Sequence, residues 1–296
     1  MRQVVRHPRA VLGIIGGSGL YDLPGLTGVR RETLRTPFGA PSDAILVGRL
    51  GEQQIAFLSR HGAGHRLLPS EVPYRANLHA LKQLGATRVV SVSAVGSMKE
   101  EIAPGHLALP TQYLDRTVAR ARTFFGEGVV AHVAFAEPVC PQLHEHLKAA
   151  CQAAGATTHA GGTYVCIEGP QFSTRAESEL YRTFGVDVIG MTALPEARLA
   201  REAELCYATI ALATDYDCWR EGHEAVTVAQ VVETMQHNVA TAREVLRHAV
   251  LGLGKIARRT CACGQALDSA VMTSPGQIPP AARERLALLL GERFKG

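Results

Sequence analysis

Short apolar runs alternate along this chain with stretches of helical spacing, and that alternation restricts its fold more than any other feature. Residues 11–16 read V-L-G-I-I-G, 88–95 read R-V-V-S-V-S-A-V, and 210–215 read I-A-L-A-T-D. Runs of this length, closed by glycine or small polar residues, read as buried strands. Residues 107–110, 163–167 and 186–189 are shorter candidates of the same kind. Between them, 74–84, 141–154, 174–184, 196–204 and 226–253 carry apolar residues at helical spacing. Strands alternating with helices predict an α/β protein, a layered α/β sandwich. Two runs at 44–50 and 54–59, joined by a tight turn at Gly51, predict a hairpin, so the central sheet is expected to be mixed. Residues 116–128, basic and with two glycines, read as a long mobile loop.

The chain of 296 residues is long enough for one large domain. We expect that domain to span 1–255 and to be followed by a C-terminal extension, 256–296. Ser274-Pro275-Gly276 and Pro279-Pro280 mark a linker there, and 281–290 a short helix. A net charge of +4 and an aromatic content of 5% argue against nucleic acid as a partner. No apolar run approaches a membrane span, and the one at 11–15 runs straight into glycines, so a cytoplasmic location is expected. Seven cysteines occur without CxxC pairs, so zinc spacing is absent. Cys261-Ala262-Cys263 is the exception, readable as two surface thiols or as a disulfide.

Several strand ends carry chemistry. The run at 210–215 delivers Asp215, and Asp217 follows two residues later, so in an extended chain both acids face one side. No histidine or third carboxylate is placed to join them, so no metal is expected. The first strand ends in Gly16-Gly17-Ser18-Gly19, which lacks both the dinucleotide glycine spacing and the triphosphate-loop lysine. Ser59-Arg60-His61-Gly62 follows another strand, Ser93-Ala94 closes a third, and Gly190-Met191-Thr192 follows a fourth. Together Ser18, Arg60, His61, Ser93 and Thr192 supply the donors to cradle one tetrahedral anion.

These residues bring a family into view. The chain resembles the purine nucleoside phosphorylases of the trimeric type, and within them those that cleave 5′-methylthioadenosine. The matching stretches are G-I-I-G-G-S-G-L at 13–20, T-P-F-G-A-P-S-D at 36–43, R-H-G at 60–62, A-V-G-S at 94–97, E-E-I-A-P-G at 100–105, A-E-P-V-C-P at 136–141, I-E-G-P-Q-F-S-T-R-A-E-S at 167–178, M-T-A-L-P-E at 191–196 and A-T-D-Y-D-C-W at 213–219. They keep the family's order over about residues 11 to 250.

The resemblance implies a nucleoside phosphorylase-like fold and the phosphorolysis of methylthioadenosine to adenine and 5-methylthioribose 1-phosphate. Inorganic phosphate is then a co-substrate, with no metal or organic cofactor. It assigns phosphate contacts to Ser18, Arg60, His61, Ser93 and Thr192. Ala94 and Met191 fall at the ribose, Phe172 and Ser173 at the base, and Asp215 and Asp217 at the purine edge. Val228, Val231 and Val232 line the 5′ pocket. His132 reaches a neighbour's 5′ pocket in a homotrimer, or in a dimer of such trimers. Relatives that prefer 6-oxopurines typically carry asparagine where this chain has its aspartates, so adenine is the expected base. A phosphorylase of broader or 6-oxopurine specificity is the alternative. A silent nucleoside-binding scaffold would have lost a phosphate donor or both acids, and neither is lost. Ser18 and Ser93 keep the hydroxyl where close relatives often have threonine, and Gly190 stands where asparagine is common. Asn77 and Glu168 are further polar residues expected to be structural.

Overall fold

The computed structural model describes residues 12–220, 228–256 and 258–291. Its strands, in chain order, are β1 (Leu12–Gly16), β2 (Leu26–Glu32), β3 (Ile45–Leu50), β4 (Gln53–Ser59), β5 (Arg88–Ser97), β6 (Leu107–Leu109), β7 (Gln112–Arg116), β8 (Thr158–Ala160), β9 (Thr163–Ile167), β10 (Val188–Gly190) and β11 (Cys206–Asp215). The helices are α1 (Tyr74–Gln83), α2 (Pro141–Ala153), α3 (Arg175–Thr183), α4 (Ala193–Glu202), α5 (Val228–Leu251) and α6 (Pro280–Leu290). The sheet runs β2-β3-β4-β1-β5-β10-β9-β7, with β11 pairing both β5 and β6, and β8 pairing β6. Strands β4, β1, β5 and β11 are parallel, whereas β3 and β10 run antiparallel to their neighbours β4 and β5. The sheet is therefore mixed, as the hairpin at Gly51 predicts.

Period-two alternation divides the central strands between two cores. Val89 and Val95 of β5 and Tyr207, Ala211 and Ala213 of β11 face α1 and α4, where Leu78, Leu81, Ala197 and Ala200 meet them. Val90, Val92, Ile210 and Leu212 face the other side and pack on Leu143 and Leu147 of α2 and Val245 and Leu246 of α5. Burial on both faces explains why these strands read as nearly continuous apolar runs.

The sequence does not announce β2, β7 or β8. The first of these is L-T-G-V-R-R-E and largely solvent-facing, so its pairing with β3 defines it and apolar patterning does not. The expectation of a mobile loop at 116–128 is corrected by packing. Arg120, Phe124 and Phe125 are buried there, and Glu202 of α4 accepts hydrogen bonds from Thr123 Oγ1 (2.7 Å) and the Phe124 N–H (2.7 Å). After residue 255, Leu267, Ile278, Leu286 and Leu289 join the core that contains α1 and α4. No helix among the described residues is long and apolar enough to cross a membrane.

Burial pushes the Glu202 carboxyl up to about 7, against the pull of its two hydrogen bonds. The folded chain thus keeps a proton that the unfolded chain releases near pH 4.5, so stability falls as pH rises from about 4.5 through about 7. Glu202→Gln is expected to remove about 3 kcal/mol of that pH dependence. Urea unfolding at the two ends of the window measures it; an unchanged slope would exclude Glu202 as the source.

Candidate active site

The parallel strands bring their carboxyl ends to one edge of the sheet, where open α/β sheets hold ligands. Gly16 pairs with Ser59, Ala211 with Ser93, Leu212 with Ala94 and Asp215 with Gly96. Strand β10 enters from the opposite direction, Ile189 opposite Gly96, so Gly190, Met191 and Thr192 run back along β5 toward Ser93. The turn Ser18–Leu20 follows β1 at the same edge. The side chain of Ser18 lies outside the described residues, as do those of Val228, Val231 and Val232 on α5.

Arg60 sits behind this edge. Its Nε and Nη2 grip Glu196 of α4 at 2.9 and 3.1 Å, Nη2 also donates to Ser91 Oγ, and Nη1 donates to the Val92 carbonyl. Both partners of the ion pair are buried. Burial alone disfavours the guanidinium charge, but Glu196 outweighs it and raises the Arg60 pKa. The expected open fork is therefore turned to Glu196. One Nη1 hydrogen has no partner among the described residues.

His61 differs from a simple donor. Its Nδ1 lies 2.8 Å from the Leu67 carbonyl, which can only accept, so Nδ1 carries the hydrogen. Burial and the charge of Arg60 push the ring pKa down to about 4. The ring is neutral near pH 7, and Nε2 presents a lone pair.

Three hydroxyls are held in reserve. Ser93 Oγ is buried without a hydrogen bond of good geometry among the described residues, and so is the Tyr164 hydroxyl beside it. A Cβ at Gly190 would overlap that hydroxyl, so the absence of a side chain at 190 makes room for Tyr164. Thr192 precedes α4, which is interrupted by an extended Leu194 (φ −121°, ψ 137°), and its side chain makes no capping bond. Ala94 is the one residue of β5 that is not buried. Met191 presses its Sδ on Gly169 (φ +66°), where a Cβ would come within 2.5 Å of the sulfur.

The acids come together by a route the alternation argument does not describe. Strand β11 ends at Asp215, and Asp217 takes a left-handed backbone, φ +53°. The Asp217 N–H donates to Asp215 Oδ1 (2.8 Å), and Thr214 Oγ1 donates to Oδ2 (2.7 Å). Asp217 Oδ2 accepts from Ser178 Oγ on α3 at 2.5 Å. Gly96 admits both acids, because a Cβ there would lie 3.0 Å from Asp215 Oδ1 and 3.3 Å from Asp217 Cβ. Burial raises both carboxyl pKa values, and for Asp215 the neighbouring Asp217 adds to the rise. The Cys218 thiol donates to the Ser173 carbonyl (3.5 Å), which ties the Phe172–Ser173 turn to the acids. Phe172 is 47% exposed, and Ser173 Oγ is buried without a hydrogen bond.

His132 is not brought to this edge by any described contact. It is exposed, and its N–H donates to the Ala270 carbonyl. Asn77 clasps Ser42 through its backbone and hydroxyl, and Glu168 accepts from Arg120 Nε and the Ala119 N–H. Sequence reasoning missed Arg120, whose Nη1 donates to the carbonyls of Met191 (2.6 Å) and Leu194 (2.7 Å) and whose Nη2 donates to that of Glu168 (2.6 Å). It also missed Ser178 and Glu196, although both end stretches that carry the family resemblance, and Tyr164, for which no local signal exists.

Two substitutions follow from this geometry. Glu196→Ala leaves Arg60 charged and buried without its partner and is expected to cost about 3–5 kcal/mol, read by chemical denaturation; a change near zero would mean that the pair is dispensable. Ser178→Ala removes a bond that lowers the Asp217 pKa, so that pKa should rise further, visible as a shift to higher pH in the limb of the activity profile that Asp217 controls.

The profile of the phosphorylase superfamily matches residues 11–251. The chain is 58% identical over 282 residues to the S-methyl-5′-thioadenosine phosphorylase of Geobacter sulfurreducens, covering 95% of this chain and 98% of that one. It superimposes on a crystal structure of methylthioadenosine phosphorylase from an Antarctic soil metagenomic library with a TM-score of 0.91 at 47% identity, over 95% of this chain and 99% of that one. It also superimposes on methylthioadenosine phosphorylase from Schistosoma mansoni in complex with adenine, with a TM-score of 0.82 at 37% identity, over 88% of this chain and 99% of that one.

Proposed function

The chain belongs to the phosphorylase superfamily, and from that premise we propose that it catalyses phosphorolysis of S-methyl-5′-thioadenosine, giving adenine and 5-methylthioribose 1-phosphate. The observation that carries this reading is the pair of acids, half-buried Asp215 and buried Asp217, on the same sheet edge as the buried hydroxyl of Ser93. The names of the similar enzymes support the same substrate.

Cleavage of the glycosidic bond builds positive charge on the sugar and negative charge on the departing purine. Phosphate answers the first, as both the stabilising anion and the nucleophile. Ser18, Arg60, His61, Ser93 and Thr192 are its proposed ligands. A neutral His61, with Nδ1 donating to Leu67 and a lone pair left on Nε2, suits the hydroxyl of monohydrogen phosphate, which can donate to it. Asp215 answers the second: burial raises its pKa, which favours the protonated form that can donate to the purine N7. Asp217 accepts from the 6-amino group, and a 6-oxo group would leave it facing another acceptor. Ala94 and Met191 border the ribose, and Phe172 and Ser173 flank the base. Val228, Val231 and Val232 line the 5′ methylthio pocket. His132 completes a neighbouring subunit's pocket in a cytoplasmic homotrimer.

The test is adenine release from S-methyl-5′-thioadenosine with and without phosphate, beside inosine. Release is expected only with phosphate, and inosine is expected to be the poorer substrate. Asp215→Asn should lower kcat by about 100-fold or more. Phosphate-independent release, or inosine cleaved better, would replace this reading with hydrolysis or with 6-oxopurine specificity.

A further inference from the structure

Away from the proposed active site, the fold gathers four thiols that are far apart in sequence. Cys140 precedes α2, Cys206 opens β11, and Cys261 and Cys263 belong to a turn in the C-terminal extension. Their Sγ atoms all lie within 4.8 Å of one another, and those of Cys206 and Cys261 are 3.4 Å apart. Four thiolates at about 2.3 Å from a tetrahedral zinc ion stand about 3.8 Å from each other, so the cluster needs only small adjustments to close on one ion. We propose that Cys140, Cys206, Cys261 and Cys263 form a structural tetrathiolate site for a thiophilic divalent cation, Zn2+ being the best match.

The surroundings fit this use. The Leu143 N–H donates to Cys140 Sγ at 3.5 Å, the kind of outer bond that orients a metal-bound thiolate. The Arg259 guanidinium lies beside Cys206, Cys261 and Cys263, and its Nη2 is anchored on the Glu204 carbonyl at 2.9 Å. It offsets the net negative charge of a tetrathiolate centre. Gly264 makes room for it, since a Cβ there would lie 2.8 Å from Arg259 Nη2. Cys140, Cys206 and Cys263 are buried, whereas Cys261 is half-buried and gives an ion a way in. On binding, each thiol gives its proton to solvent. The ion would clamp the extension to the first residue of β11 and to the start of α2, at the end of β11 opposite Asp215. Its loss should therefore reduce stability and leave turnover at low temperature intact.

The sequence argument against zinc rested on the absence of CxxC pairs. Here only Cys261 and Cys263 are close in sequence, and the other two ligands come from distant elements. Two disulfides are the competing use of the same four atoms.

The experiment uses the full chain, purified without chelator from zinc-supplemented cells. Elemental analysis should find about one zinc per chain, and denatured, unreduced protein should titrate seven free thiols, its full complement of cysteines. Cobalt-loaded protein should show the intense visible bands and thiolate charge-transfer absorption of a tetrahedral sulfur site. Cys261→Ser with Cys263→Ser should abolish metal and cobalt bands and lower Tm by several degrees, while Cys151→Ala retains the metal. Only three free thiols would establish disulfides and overturn the proposal. Seven free thiols with no zinc and no cobalt spectrum would overturn it as well, as would metal retained by the double variant. The wild-type measurements decide the matter even if the double variant fails to fold.

Discussion

The buried ion pair between Arg60 and Glu196 is the constraint on which the rest of this structure depends. Arg60 follows β4, and its guanidinium reaches Ser91 and the Val92 carbonyl on β5. Its backbone N–H bonds the Gly16 carbonyl at the end of β1. Glu196 belongs to α4 and also accepts from Tyr207 on β11 at 2.9 Å. One pair thus ties four parallel strands to the first turn of a helix. Burying two charges is expensive and rarely adds net stability over an apolar alternative. What this pair supplies is position: with α4 seated on Glu196, Thr192 at its start lies along β5 beside Ser93.

Around that fixed frame the site holds polar groups in states that water would not favour. Ser173 Oγ is buried and unbonded, at a cost of about 1–3 kcal/mol, and Ser93 Oγ and the Tyr164 hydroxyl lie buried side by side without a hydrogen bond of good geometry. Asp215 and Asp217 have raised pKa values, and His61 a lowered one. Burial thereby shifts Asp215 toward the form that can donate a proton, and it keeps the imidazole neutral. A nucleoside and a phosphate together bring the donors, acceptors and charge that these groups lack.

Arg120 does for the outer wall what Arg60 does for the inner one. Its donors bind four carbonyls, those of Ile167, Glu168, Met191 and Leu194, that belong to two segments flanking the site. Backbone carbonyls in irregular segments need partners when buried, and a single guanidinium satisfies several of them at once. The stretch around Arg120 consequently packs as firmly as a regular element, with Phe124 and Phe125 in the core.

The sequence by itself determined the alternation of strands and helices, the central strands, the mixed hairpin and the strand ends that carry chemistry. These follow from local periodicity and from which residue stops an apolar run, both readable over a few positions. Asp215, Asp217, Ser93, Thr192, Arg60 and His61 were legible in that way. Only the tertiary structure decided what those side chains face. It turned the Arg60 fork to Glu196, gave His61 its neutral tautomer through Leu67, and bent Asp217 onto Ser178. It paired the polar strand β2 with β3, pinned the loop at Arg120, and drew Cys140, Cys206, Cys261 and Cys263 into one cluster. The contacts to Glu196, Ser178 and Leu194 span 136, 39 and 74 residues, and the nearer ones, His61 to Leu67 and β2 to β3, form only once the turn and the sheet are assembled. Periodicity carries no information about either.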